Sequence, residues 1–148
     1  MNTPFIVNVS RQALKTGNHV YAKPCILIQI ADPDTEFVKP YHDFLEIHRY
    51  QFLDIEASGL TNNGNGVYED MREFAITQDQ ANEIVSILNI AFNKNTNVVV
   101  ACHAGRCRSG GVCEVGTMMG FAEVPNTIRQ PNVLVKTLMM KSLGWTYE

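Results

Sequence analysis

The chain has 148 residues, 45% apolar and 18% charged, the size and makeup of one globular domain with a real hydrophobic core. With 12 basic and 15 acidic side chains its formal charge is −3, which argues against nucleic acid or an anionic membrane as a general partner. No apolar run approaches a membrane span, and Met1-Asn2-Thr3-Pro4 lacks the basic and apolar stretches of a signal peptide, so a cytoplasmic protein is expected, with residues 1–148 as a single domain.

In chain order, residues 5–9 (Phe-Ile-Val-Asn-Val) predict a first strand. Ser10 is placed to cap a short helix over 11–15, which Gly17 and Asn18 would end. The continuous apolar run 25–30 predicts a central parallel strand, and Asp32-Pro33-Asp34 breaks it into a loop. Residues 40–45 fit a short helical turn, and 46–53 a further strand that ends at Asp54. The polar, glycine-rich stretch 56–66 reads as an exposed loop.

Thr77 and Gln80 match a capping box, after which Ala81, Ile84, Val85, Leu88, Ala91 and Phe92 fall on one helical face. A central strand follows over 98–101, then a loop, then a helix over about 109–121 with Val112, Val115, Met118 and Met119 toward the core. Pro131 suits a first helical turn, and Val135, Leu138, Met139 and Leu143 carry a last amphipathic helix that Gly144 ends. Strands alternating with helices predict an α/β domain: three layers, with a central, mostly parallel sheet flanked by helices. Ligands in such folds bind beyond the carboxyl ends of the strands, where both Asp54 and Cys102 are expected.

The organising stretch is Cys102-His103-Ala104-Gly105-Arg106-Cys107-Arg108-Ser109, between the apolar run 98–101 and Gly110-Gly111. A loop that leads into a helix N-terminus aims several backbone N–H groups at one point, where the helix dipole adds partial positive charge. Such a concavity binds a tetrahedral oxyanion, and Arg108 adds a two-pronged fork. The same field favours the thiolate of Cys102, a nucleophile aimed at phosphorus. The Ser109 hydroxyl is placed to donate to the Cys102 sulfur, to cap the helix, or to do both. An acid is needed for the leaving group. Asp54 is the first candidate, with Glu56 and Asp70 as alternatives on the long following connection. His103 and Arg106 put protonatable or positive groups on the loop rim.

This C-x5-R-S loop resembles the signature of the cysteine-dependent protein tyrosine phosphatases, nearest to the small dual-specificity-like forms. Phe52-x-Asp54 looks like the general-acid segment of small bacterial and viral members, and Pro131-Asn132-x-Leu134-Val135 like the start of their C-terminal helix. Ala101 stands where the family usually has histidine. The resemblance implies a phosphatase-like fold and hydrolysis of phosphomonoesters through a phosphocysteine. Its catalytic residues would be Cys102, Arg108, Asp54 and Ser109, with residues His103, Ala104, Gly105, Arg106, Cys107 and Arg108 around the phosphate. No cofactor or metal is implied; the partner is a phosphorylated protein or a small phosphomonoester.

Three alternatives stay open. Basic residues at the offsets of His103 and Arg106 occur in phosphoinositide phosphatases of the same superfamily, so a polyanionic substrate is one. A phosphate-binding module without turnover, suggested by Ala101, is another. Sulfur transfer or oxyanion reduction on the same loop is the third. Cys107 or Cys113 would either form a reversible disulfide with Cys102 or simply fill space. A zinc set of Cys102, His103, Cys107 and Cys113 matches no common ligand spacing.

Overall fold

The computed structural model describes residues 3–55, 60–62, 68–70 and 72–145, with 60–62, 68–70 and 72 described as backbone alone. Strand β1 (Phe5–Ser10) passes at once into helix α1 (Arg11–Thr16). Ser10 Oγ accepts from the Ala13 N–H, and Gly17 closes the helix at φ 81°. Strands β2 (Cys25–Ala31) and β3 (Ile47–Gln51) follow, then the antiparallel pair β4 (Leu60–Asn62) and β5 (Tyr68–Asp70) and a 3-10 turn at Arg72–Phe74. Helix α2 (Gln78–Asn93) leads to β6 (Asn97–Cys102), α3 (Arg108–Met119), β7 (Ala122–Glu123) and α4 (Val133–Ser142).

β3, β2, β6, β1 and β7 form one sheet in that order, and every neighbouring pair is parallel. A parallel sheet needs cover on both faces, and its central strands are accordingly apolar at consecutive positions. Side-chain alternation divides β6 cleanly. Val98, Val100 and Cys102 join the larger core under α2, α3 and α4, whereas Val99 and Ala101 join Leu14 of α1 on the opposite face. The molecule is thus an α/β domain in which helices flank a central sheet, as expected, and its five-stranded sheet is parallel throughout.

The strand and helix readings hold for β1, α1, β2, β3, α2 and β6. Thr77 and Gln80 do form the capping box, by bonds of 3.1 and 2.9 Å. Of the α2 face, Ala81, Ile84, Val85, Leu88 and Ala91 are buried, and Phe92 is packed at the core's edge.

Four readings are corrected. Residues 40–45 form no helical turn; the chain bends there so that Tyr41 N–H meets the Leu14 carbonyl. Leu60–Asn62 is a strand rather than loop, paired with Tyr68–Asp70. Met118 is 49% exposed, because the inward face of α3 is carried by Val112, Cys113, Val115 and Gly116, and Met118 lies about 200° around the helix from Gly116. Pro131 precedes α4 instead of starting it. Asn132 is the cap, and its Oδ1 accepts from Val135 N–H at 2.9 Å.

Candidate functional site

β6 ends at Cys102, beside Ser10 at the end of β1. The chain then turns through residues 103–107 before α3 begins at Arg108. Five hydrogen bonds shape this turn, and they engage four of its carbonyls. His103 C=O accepts from Arg11 N–H (3.2 Å), Gly105 C=O from Asn8 Nδ2 (2.6 Å), and Arg106 C=O from Gln130 N–H (3.0 Å). Cys107 C=O accepts from Gly111 N–H (2.8 Å) and Asn132 N–H (2.9 Å). None of the described hydrogen bonds is donated by the backbone N–H of residues 103–106. Carbonyls drawn into the protein scaffold leave the opposite side of the turn rich in donors, the arrangement that cups an anion.

Gly105 makes the turn possible. Its φ is 72°, and a Cβ there would sit 2.4 Å from Ser10 N and from Val9 C. His103, Ala104 and Arg106 are exposed around the rim, and Cys107 is half-buried.

Cys102 Sγ lies 3.1 Å from Ser109 Oγ, with both side chains buried. Ser109 is the second residue of α3 and not its cap, and its hydroxyl lies beside the sulfur. Arg108 is turned inward and is 5% exposed. Its Nη1 donates to Asp32 Oδ1 at 2.7 Å and to the Phe52 carbonyl at 2.8 Å, at the ends of β2 and β3. Neither bond uses Nε or Nη2. The Asp32 carboxylate is half exposed, so solvent screens its pairing with Arg108.

Asp54 is exposed and joins the site through Asn132. Asn132 Nδ2 donates to Asp54 Oδ1 at 2.6 Å and to the Ile55 carbonyl at 3.1 Å. One wholly buried asparagine therefore ties residues 54 and 55, the end of the loop after β6 and the start of α4. Glu56 lies outside the described residues, and Asp70 is described only as backbone at the end of β5.

None of the four cysteines, all among the described residues, is bridged. Cys113 is wholly buried in the core cluster that includes Cys102, and burial raises its thiol pKa. Burial likewise pushes the Cys25 thiol up to about 12. No group of three or more His, Cys, Asp or Glu side chains among the described residues is arranged to hold a metal ion. Nor is any helix among them long and apolar enough to cross a membrane.

Three residues at this site escape a reading of the signature alone: Asn8, Asp32 and Asn132. Each left a trace in the sequence. Asn8 is the one polar residue within an apolar strand run, Asp32 closes the apolar run of β2, and Asn132 is a favoured cap residue ahead of an apolar helix. The chain matches no protein-family model and no curated protein.

Proposed function

We propose that this protein is a cysteine-dependent phosphomonoesterase of the tyrosine and dual-specificity phosphatase type. The observation that carries the reading is the signature turn. Its carbonyls are tied outward, Cys102 sits against Ser109, and Arg108 is folded inward.

The chemistry follows from that geometry. A phosphate monoester settles on the loop N–H groups, with the α3 N-terminus and the remaining nitrogens of Arg108 offsetting its charge. Cys102 sulfur attacks phosphorus as a thiolate. The S–P bond forms as the bond to the leaving oxygen breaks, and Asp54 gives that oxygen its proton. Water, deprotonated by the same carboxylate, then attacks the phosphocysteine. Phosphate leaves, and the Ser109 hydroxyl supports the returning thiolate through the contact at 3.1 Å.

The test is Cys102→Ser. Hydrolysis of an aryl phosphate should vanish, while inorganic phosphate still shifts the amide resonances of Gly105 and Ser109. Turnover that survives the substitution ends this assignment. A second reading, phosphate binding without turnover, is favoured by Ala101 directly before Cys102, where the resembling phosphatases usually have histidine. In that case the unaltered protein binds phosphate and releases none from any monoester.

A further inference from the structure

Residues 124–132 run between β7 and α4 and belong to no helix or strand. Among the described hydrogen bonds, none joins two backbone groups within this segment. Its backbone donors reach outward instead. Gln130 N–H meets the Arg106 carbonyl and Asn132 N–H the Cys107 carbonyl, two of the bonds that shape the signature turn. A donor of this kind is only as well placed as the chain that offers it, so what holds the segment also sets the turn.

Two side chains hold it, on neighbouring residues. Asn8 Nδ2 donates to the Ile128 carbonyl at 2.8 Å. Arg129 folds inward until its side chain is 9% exposed. Its Nη1 lies 2.9 Å from Glu114 Oε2 on α3 and 3.3 Å from Glu123 Oε1 on β7. One cation shared by carboxylates on two different elements fixes the segment in two directions at once. The first turn of α3 is cut away to receive it. A Cβ on Gly110 would fall 2.8 Å from Arg129 Cγ, and one on Gly111 would fall 3.0 Å from the Asn132 carbonyl oxygen. This is the turn of helix that begins with Arg108 and Ser109. None of the described hydrogen bonds or ion pairs of Arg129 involves residues 102–109, so its influence on them passes through Gln130 and Asn132.

We propose that Arg129 is a positioning residue for the anion site: paired with Glu114 and Glu123, it latches residues 124–132 onto α3 and β7 and so keeps the Arg106 and Cys107 carbonyls turned away from a bound oxyanion. The inference rests on the anion-binding reading of the loop and adds a residue that governs it without touching the ligand.

Inorganic phosphate is the probe, titrated well below the melting temperature and followed by the amide resonances of Gly105 and Ser109. Arg129→Met keeps the stem and removes the charge. Both carboxylates are partly exposed and hydrate once released, so no buried charge is stranded. Phosphate affinity should fall about 10-fold. The amides of Gln130 and Asn132 should then exchange with solvent before that of Gly111, which also donates to the turn but from within α3. Both ion pairs use Nη1, so a single cationic nitrogen can replace it, and Arg129→Lys should bind phosphate within about 3-fold of the unaltered protein. Glu114→Ala, at a helix position that alanine favours, should weaken binding by about 3-fold. Ile84→Val trims the core under α2 and serves as the stability control, expected to lower the melting temperature and leave phosphate affinity unchanged. Unaltered affinity in Arg129→Met, or in Glu114→Ala should the methionine protein not fold, overturns the latch and spares the loop. So does an equal loss in Ile84→Val, a lysine variant no better than methionine, or exchange of the three amides in step. Failure of the unaltered protein to bind phosphate removes the loop reading and the latch together.

Discussion

Gly105 is where backbone geometry and chemistry meet most tightly. A left-handed φ of 72° is open to glycine at little cost, and a Cβ at this position would fall 2.4 Å from Ser10 N, which leaves no room for a methyl group. Gly105→Ala should therefore strain the turn by about 1–3 kcal/mol and move its N–H groups out of register. We expect a lower thermal midpoint and a loss of phosphate affinity of at least about 10-fold, measured by melting and by titration. An alanine variant that binds phosphate as before would show that the turn tolerates another shape. Arg108 makes a similar point about side chains. Its fork is oriented from one nitrogen by Asp32 and the Phe52 carbonyl, which leaves direction to the protein and the one edge formed by Nε and Nη2 to a ligand.

Among the elements, the start of α4 does the most for the site. Asn132 serves as a helix cap through Oδ1 and as a brace for Asp54 through Nδ2, and two substitutions separate these duties. Asn132→Ala loses both and should cost about 1 kcal/mol of stability. Asn132→Ser keeps a capping oxygen and loses the donor to Asp54. It should melt near the unaltered protein yet turn over an alkyl phosphate roughly 10-fold more slowly. Asp54→Asn alone should slow the same substrate about 100-fold, and adding Asn132→Ser should then cost nothing more. Additive losses would mean that Asn132 acts by some route other than Asp54.

This is also where the reach of the sequence is easiest to judge. Local signals define the elements well: the capping box at Thr77, the Ser10 cap, and the apolar runs of β2 and β6 all depend on near neighbours. The grouping of Cys102, Arg108 and Ser109 is legible for the same reason, since one short stretch carries all three. Asn8, Asp32 and Asn132 reach the loop across 97, 76 and 25 residues of chain, and no local pattern encodes such pairings. Met118 departs from its expected inward place because the apolar pattern of α3 does not reveal that Gly116 takes that place against Ile6. Pro131 departs from expectation because a proline ahead of a helix is compatible with either side of the cap.

At the scale of the molecule, the parallel sheet sets all the functional strand ends on one side. β1, β2 and β6 are interior strands with both faces covered, while β3 and β7 form the edges. Interior amides should be the last to exchange with solvent water, and those of β3 and β7 should exchange sooner. Hydrogen exchange followed by NMR checks this, and β6 amides exchanging as fast as those of β3 would contradict the strand order. The signature loop hangs from the middle strand of the sheet, and Arg108 crosses from it toward the ends of β2 and β3.

The outward tethers of the turn have a consequence for the order in which the protein comes into being. Donors for its carbonyls come from Asn8 and Arg11, made early, and from Gln130 and Asn132, made late. On a translating ribosome, a nascent chain that has emerged only through α3 already holds the strands it needs to pair β1, β2 and β6. The Arg106 carbonyl still has no mate at that stage, and Asp54 has no brace. On the phosphatase reading, the growing polypeptide would carry Cys102 for some time before the turn around it is fully tied, and the last tie comes with Asn132.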